Sequence, residues 1–193
     1  MTIVRVGVLA LQGDVREHAA ILESLGAEVV RVRVPADLGG IDALVIPGGE
    51  STTIGKLAER YGMVEPLRQA IAGGLPTLGT CAGMIFLAGS TTASRPQVQL
   101  GVLDVVVQRN AFGRQVESSE RELPVEGIDG RVHAVFIRAP WIEKVGEGVD
   151  VLAEVDGHPV MVREGNVIAT SFHPELTGDS RVHRLLLEMV EGA

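Results

Sequence analysis

Short apolar segments alternate with helical patterns through the first half of the chain. The segments rich in Val, Leu and Ile are predicted as strands, and they are residues 3–11, 27–34, 43–51 and 75–80. Helices are predicted between and after them over 14–25, 52–61 and 65–72, with another beginning after residue 80. Strands that alternate with helices predict a parallel sheet covered by helices on both faces, which is the α/β class.

The first of these helices has a recognisable beginning and end. Asp14 is predicted to be its N-cap, with Glu17 as the capping-box partner three residues later. Gly26 provides the stop signal. His18, in this helix, and His183, in the last one, are predicted to lie on helix surfaces.

After residue 100 the pattern changes to strands joined by short turns. Hairpins are predicted at residues 156–157 and 164–166, and a last helix over 181–191. We expect these strands to extend the same sheet as added antiparallel strands. The 193 residues are therefore predicted to form a single domain over 1–193.

Composition excludes several classes of function. A net charge of −8 and an aromatic content of 3% argue against binding to nucleic acid or to anionic membranes. The single cysteine forms no internal disulfide, which is typical of a reducing compartment. The first residues are too polar to span a bilayer and do not resemble a signal peptide, so a cytoplasmic location is expected.

The cysteine lies where a nucleophile would be presented. Cys81 follows the fourth strand and precedes a helix, with Gly79 and Gly83 two residues away on either side. Strand, Gly-x-Cys-x-Gly and helix is the arrangement of a nucleophile elbow, whose sharp turn requires small neighbours. The helix N-terminus favours the thiolate, and the backbone N–H of Ala82 is a candidate oxyanion donor. From this motif alone, a small buried cysteine that merely fills the corner is an equal alternative.

A second motif provides a base for the cysteine. His173 and Glu175 flank Pro174, and in an extended segment, which the proline favours over helix, they would share one face. Glu175 would then orient His173, and His173 would serve as base and acid for Cys81.

A third motif follows the third strand. Two glycines in Pro47–Ser51 allow a ligand to approach the backbone, and an N–H of Gly48 or Gly49 is a candidate second oxyanion donor. The segment lacks the spacing and the lysine of a phosphate-binding loop. Because the carboxyl ends of parallel strands meet at one edge, these turns are expected to converge there. Arg109 and Arg138 end apolar runs and are candidates to hold a carboxylate, and no histidine has the spacing of a metal site.

Six segments together resemble the class I glutamine amidotransferase family, and within it the branch of glutaminase subunits that serve pyridoxal 5′-phosphate synthases. They are LALQGDVREH (9–18), IPGGESTTI (46–54), GTCAGMI (79–85), VVVQRNAFGRQVES (105–118), VFIRAP (135–140) and TSFHPELTGDSRVH (170–183). The first and fourth segments are the specific ones, since the elbow and the His-Pro-Glu motif occur across the wider family.

This resemblance implies a flavodoxin-like three-layer α/β/α sandwich that hydrolyses L-glutamine to L-glutamate and ammonia through a Cys81–His173–Glu175 triad. It implies an oxyanion hole from the backbone of Gly49 and Ala82. It also implies that glutamine is held by Gly49, Glu50, Ser51, Arg109, Ile137 and Arg138. No metal or cofactor is implied.

The resemblance further implies a protein partner. That partner is a (β/α)8-barrel synthase subunit that receives the ammonia through a tunnel, with one glutaminase per synthase subunit in a large ring. Three alternatives remain at this point. They are a glutaminase for histidine or purine synthesis, a free-standing cysteine hydrolase acting on peptides or γ-glutamyl chains, and a non-enzymatic domain with a relic triad.

Overall fold

The structure is a computed structural model that describes residues 3–93, 96–109 and 118–192. Part of the predicted motif at 105–118, residues 110–117, lies outside the described residues. The helices are α1 (Val15–Ser24), α2 (Ser51–Arg60), α3 (Val64–Ala72), α4 (Ala82–Leu87) and α5 (Arg181–Glu191). The strands are β1 (Arg5–Leu9), β2 (Glu28–Val32), β3 (Ala43–Ile46), β4 (Thr77–Thr80), β5 (Ala88–Thr91), β6 (Leu103–Gln108), β7 (Ser118–Val125), β8 (Ile128–Ile137), β9 (Trp141–Val145), β10 (Asp150–Val155), β11 (His158–Glu164) and β12 (Val167–Thr170).

A seven-stranded sheet forms the centre, in the order β10-β11-β12-β4-β3-β1-β2. The five strands from β12 to β2 run parallel to one another. The β10–β11 and β11–β12 pairs are antiparallel. The α/β class, the largely parallel sheet and the added antiparallel strands are thus confirmed.

Each face of this sheet carries its own apolar core. On one face, α2, α3 and α4 contribute Ile54, Leu67 and Phe86 to a cluster with sheet residues such as Leu44 and Ile46. On the other face, α1 and α5 contribute residues that pack against Val8, Val45 and Ile168, and these are Leu22, Val182 and Leu186. The three layers correspond to the expected flavodoxin-like α/β/α sandwich.

The expectation that all later strands join the central sheet is only partly correct. β10, β11 and β12 join it, and both predicted hairpin turns lie between them. β5, β6 and β9 instead form a separate three-stranded sheet, and among the described strands β7 pairs only with β8, in a ribbon. The apolar sides of these elements cover the two faces: Val105 and Ile142 enter one core, and Leu123 and Phe136 enter the other. Alternating polarity predicts a buried side for each strand but not which sheet it joins.

The predicted surface positions of two histidines are wrong. His18 in α1 and His183 in α5 are both fully buried, and their rings are in contact through His18 Nδ1 and His183 Nε2, 2.8 Å apart. They lie between the two helices and the sheet, where each finds a polar partner. No described helix combines the length and apolarity needed to cross a bilayer.

Candidate active site

The turns that follow the parallel strands meet in one cleft of about 370 Å³. The cleft lies where β1, β3, β4 and β12 end, as expected for the carboxyl edge of such a sheet. Its walls contain every site residue that the resemblance implies except Glu175, which is buried behind His173. Gly48, the alternative oxyanion donor, does not line the cleft, and its N–H donates to Thr80 Oγ1 at 3.0 Å. The lining residues are Gln12, Asp14, Gly49, Glu50, Ser51, Cys81, Ala82, Ile85, Arg109, Ile137, Arg138, His173 and Leu176.

Cys81 occupies a strained turn between β4 and α4. Its backbone has φ 49° and ψ −102°, a conformation that costs a residue with a side chain on the order of 1–3 kcal/mol. Hydrogen bonds hold the turn on both sides: Cys81 N–H donates to Thr170 O at 2.8 Å, and Ile85 N–H donates to Cys81 O at 3.2 Å. The turn therefore presents the sulfur at the first residue before a helix, as the elbow motif predicts.

The two flanking glycines are required by close packing. A Cβ on Gly83 would lie 2.1 Å from Ile46 O, and a Cβ on Gly79 would lie 2.4 Å from Leu87 Cδ1 and 2.9 Å from the Gly83 carbonyl carbon. At each position a backbone atom lies within 3.0 Å of the added Cβ, so a side chain there would require the backbone to move. Gly83 thus packs against β3 and Gly79 packs against α4, and these two contacts explain why a glycine lies two residues away on each side of Cys81.

His173 and Glu175 form a buried pair beside Cys81. His173 Nδ1 lies 2.7 Å from Glu175 Oε1, and each residue is 6% exposed. The local geometry differs from the prediction, because Pro174–Leu176 form one turn of 3-10 helix rather than an extended segment. That turn, with proline at its start, directs the carboxylate back onto the imidazole.

The imidazole is held in its charged form. Burial lowers the pKa of His173, but hydrogen bonds to the side chains of Asp14, Cys81 and Glu175 outweigh this and raise the pKa to about 12. Burial raises the pKa of Glu175, against the opposing effect of His173. Because Nδ1 is used by Glu175, the other ring nitrogen is left for the Cys81 sulfur. The arrangement places an imidazolium beside the Cys81 sulfur.

Asp14 is a site residue that the sequence reasoning missed. Its side chain makes no cap hydrogen bond to α1, so the predicted capping box is wrong. Asp14 Oδ2 instead lies 3.4 Å from His173 Nδ1, because the turn after β1 directs it across the cleft. Asp14, His173 and Glu175 offer ligand atoms within 4.8 Å of one another, but His173 Nδ1 is already engaged by Glu175.

Glu50 and Arg109 place opposite charges on one wall. Glu50 is the N-cap of α2, and its carboxylate accepts hydrogen bonds from the backbone N–H groups of Thr52 and Thr53. Burial raises the pKa of Glu50, but the hydrogen bonds from Thr53 and Thr52 lower it to about 2. Arg109 Nη2 lies 3.3 Å from Glu50 Oε1, and Arg109 Nη1 lies 3.1 Å from Gln97 Oε1. The wall thus offers a fixed carboxylate next to a guanidinium.

Backbone groups complete the cleft. Ala82 is the first residue of α4, so its N–H belongs to a helix N-terminus without an intrahelical partner. Gly49 lies against Gln12: a Cβ on Gly49 would lie 2.4 Å from Gln12 Oε1, and that oxygen accepts the N–H of Glu50 at 2.7 Å. Ile137 ends β8, and the exposed Arg138 beside it has φ 44°. The positive φ turns the chain at the cleft wall.

With this geometry established, comparison with known proteins identifies the family. The model of the SNO glutamine amidotransferase family matches residues 8–192. Pyridoxal 5′-phosphate synthase subunit PdxT of Parafrankia sp. (strain EAN1pec) is 62% identical over 192 residues, which is 98% of this chain and 95% of the relative. The protein of the same name from Mycobacteroides abscessus is 58% identical, covering 96% of each chain.

Comparison with solved structures supports the same family and fold. A crystal structure described as a glutamine amidotransferase is 55% identical and superposes with a TM-score of 0.93, covering 96% of this chain and 98% of that one. The structure of PurLQS from Thermotoga maritima shares the fold alone, with 17% identity and a TM-score of 0.71 over 100% of this chain and 99% of that one. The resemblance predicted from the sequence motifs is confirmed: the chain belongs to the SNO glutamine amidotransferase family.

Proposed function

We propose that this chain hydrolyses L-glutamine to L-glutamate and ammonia as the glutaminase subunit of a pyridoxal 5′-phosphate synthase. The observation that carries the proposal is the Cys81 elbow, which shares one cleft with His173, while Glu175 is buried behind the imidazole and hydrogen-bonded to it. The relatives named as pyridoxal 5′-phosphate synthase subunits, at 58–62% identity over almost the whole chain, support the same assignment.

The proposed reaction begins with Cys81 as a thiolate. The sulfur attacks the side-chain amide carbon of glutamine, and the backbone N–H groups of Ala82 and Gly49 receive the negative charge that develops on the amide oxygen. His173, held as an imidazolium, protonates the departing nitrogen, so ammonia leaves and a γ-glutamyl thioester remains on Cys81. A water molecule that gives a proton to His173 then attacks the thioester and releases glutamate, while Glu175 keeps the ring aligned throughout.

The wall opposite Cys81 suits the other end of glutamine. An amino acid carries an ammonium and a carboxylate on its α-carbon, and Glu50 and Arg109 provide the complementary charges 3.3 Å apart. We assign the Gly49–Ser51 segment and the Ile137–Arg138 backbone as the remaining contacts to the substrate. This assignment uses the family resemblance for the roles and the cleft walls for the positions.

The ammonia requires a protected route, because in bulk water it is largely protonated and then no longer a nucleophile. We therefore propose that the chain docks on a synthase subunit built as a (β/α)8 barrel, one glutaminase per synthase subunit in a ring, which takes up the ammonia through a tunnel. A cytoplasmic location is part of the same proposal. The proposed reaction and its transfer of ammonia involve neither a nucleic acid nor a membrane.

The test is ammonia release from glutamine by the wild type and by Cys81→Ala, each with and without the synthase subunit. We expect release by the wild type with the synthase and none above background by Cys81→Ala, since no other described cysteine lines the cleft. Activity that survives in Cys81→Ala would contradict the catalytic assignment. Equal ammonia transfer to a synthase of histidine or purine synthesis, or turnover of peptides without a partner, would instead support one of the alternative functions.

A further inference from the structure

A second buried polar layer lies directly behind the triad. Glu175 uses Oε1 to hold His173, but its other oxygen, Oε2, has no hydrogen-bond partner among the described residues. His18 Nε2 lies 3.5 Å from this oxygen, and the side chains of both residues are 0% exposed. A buried carboxylate oxygen with no donor is costly, so the identity of the group that faces it matters.

His18 also contacts the two loops that carry the reacting groups. Its Nε2 lies 3.1 Å from Thr80 Oγ1, and Thr80 immediately precedes Cys81. The same hydroxyl oxygen accepts the N–H of Gly48 at 3.0 Å, next to the proposed oxyanion donor Gly49. One imidazole nitrogen therefore faces Glu175, the elbow and the third-strand loop together.

The partners of His18 determine which of its nitrogens carries the proton. Burial, followed by the proximity of His183 and then His173, lowers the pKa of His18 well below its ordinary value, so the ring is neutral. If Nε2 lacked a proton, Thr80 Oγ1–H would donate to it, but its lone pair would also face the carboxylate oxygen of Glu175. With the proton on Nε2, Nδ1 is an acceptor, and His183 Nε2–H donates to it across 2.8 Å.

His183 is consistent with this choice. Its other nitrogen, Nδ1, is buried and has no partner among the described residues. In the opposite tautomer that atom would be a buried N–H without an acceptor, which native structures avoid more strongly than a spare lone pair. Burial lowers the pKa of His183 to about 4, with a smaller opposing effect of Asp179, so this ring is neutral too.

We propose that His18 is a positioning residue of the active site: its Nε2–H hydrogen-bonds Thr80 Oγ1 and faces Glu175 Oε2 across 3.5 Å, and His183 fixes that tautomer by donating to His18 Nδ1. The proposal rests on the triad assigned under the proposed function. Acting through Glu175, His18 keeps the carboxylate ionised and aligned on His173, although it does not line the cleft and does not touch the substrate.

Two amide substitutions test the two ring nitrogens of His18 separately, because each reproduces the position of one of them. In His18→Gln the amide nitrogen falls where Nε2 lies, so it still offers an N–H to Glu175 and Thr80. In His18→Asn the amide lies near the position of Nδ1, so the contact with His183 is kept and the donor to Glu175 is lost. His18→Leu removes both ends, and His133→Leu, on the exposed side of β8, is the matched control.

We expect His18→Asn and His18→Leu to reduce kcat for ammonia release on the order of tenfold, with KM for glutamine unchanged. The acidic limb of the kcat profile should also move up, by about one pH unit, because without the donor the ionised form of Glu175 is less stabilised. The groups that face Glu175 or its partners are His173 and Asp14 at the cleft, Cys81 at the elbow, and His18 and His183 behind. Of these, only His18 differs between the variants, so the shift reports the lost donor.

His18→Gln should keep at least half of the wild-type kcat and the wild-type acidic limb, and His133→Leu should change neither. Equal losses of kcat in all three His18 variants, without movement of the acidic limb, would show a purely structural role and overturn the proposal. Unchanged kcat in all three variants would overturn it as well.

A second measurement does not depend on the variants folding. In the full chain labelled with ¹⁵N-histidine, nitrogen shifts and long-range proton couplings report the tautomer of each ring. We expect His18 to be neutral with the proton on Nε2 at pH 7, and a proton on Nδ1 would overturn the proposal. Failure of the wild type with the synthase to release ammonia would count against the proposed function, whereas the tautomer measurement would still decide the role of His18.

Discussion

Two histidine–carboxylate pairs in this molecule have nearly the same geometry and opposite surroundings. His173 Nδ1 lies 2.7 Å from Glu175 Oε1 at the cleft, and His133 Nδ1 lies 2.6 Å from Glu122 Oε1 on the β7–β8 ribbon. Each ring also has a second carboxylate nearby: Asp14 at 3.4 Å from His173, and Glu120 at 3.0 Å from His133. Distances alone would not distinguish the proposed catalytic pair from the surface pair.

The surroundings do distinguish them. The side chains of His173 and Glu175 are 7% and 0% exposed, whereas those of His133 and Glu122 are 38% and 54% exposed. At the cleft, the second ring nitrogen is left for the Cys81 sulfur. On the ribbon, the second nitrogen of His133 faces Glu120. A histidine–carboxylate pair therefore becomes useful for catalysis through burial and through what lies on the other side of the imidazole.

The largest expected difference between the two pairs is in turnover. Glu175→Gln should lower kcat for ammonia release by on the order of 10³-fold or more, because an amide can donate to Nδ1 and hold the ring in the wrong tautomer. Glu122→Gln, the matched change on the ribbon, should leave kcat unchanged. Steady-state kinetics of both variants with the synthase present will check this, and a similar loss in both would remove the distinction drawn from burial.

A smaller effect is expected for the second carboxylates. Asp14→Asn keeps the shape of the side chain but removes a negative charge 3.4 Å from His173 Nδ1, so it should weaken the imidazolium and lower kcat by up to about tenfold. Glu120→Gln removes the corresponding charge at His133 and should not change kcat.

The pH dependence of Cys81 alkylation by iodoacetamide measures the same effect directly. In Asp14→Asn the alkylation rate should begin to rise at a higher pH than in the wild type, because the thiolate has a less stable partner. An unchanged alkylation profile in Asp14→Asn would mean that Asp14 does not act on the thiolate–imidazolium pair.

The smallest effect concerns the stability of the ribbon. Glu122, and then Glu120, raise the pKa of the exposed His133. A group whose pKa is higher in the folded chain stabilises it fully below the unfolded pKa, about 6.5. That stabilisation is lost as the pH rises through the folded value. His133→Gln should therefore lower Tm slightly at pH 5–6 and leave it unchanged at pH 9, and a deficit that is larger at pH 9 would contradict this sign.

The sequence predicts the layers and the triad because those features are local or are repeated. The alternation of apolar segments with helical patterns is enough for the α/β class, and the Gly79–Gly83 spacing is enough for the elbow. The sheet membership of β5 to β9 was not predictable, since alternating polarity marks a buried side without naming the partner strand.

Three polar residues near the site were misassigned or overlooked for physical reasons. Asp14 has the local pattern of an N-cap, and only the folded turn shows that its carboxylate points to His173 instead. The predicted surface position of His18 is wrong although the residue lies three residues after Val15 and four before Leu22, on the buried stripe of α1. That spacing was a usable signal. The contact of His18 with His183, 165 residues later, could not be predicted from spacing.

One measurement tests the central claim that Cys81 and His173 act together on glutamine. The wild type, in complex with the synthase, is treated with a chloroketone analogue of glutamine, and the site of labelling is located by peptide mass spectrometry. We expect one label on Cys81, protection by glutamine, and labelling at least tenfold slower in His173→Ala. A label elsewhere on the chain, or no label while ammonia is still released, would contradict the assignment of Cys81 as the nucleophile.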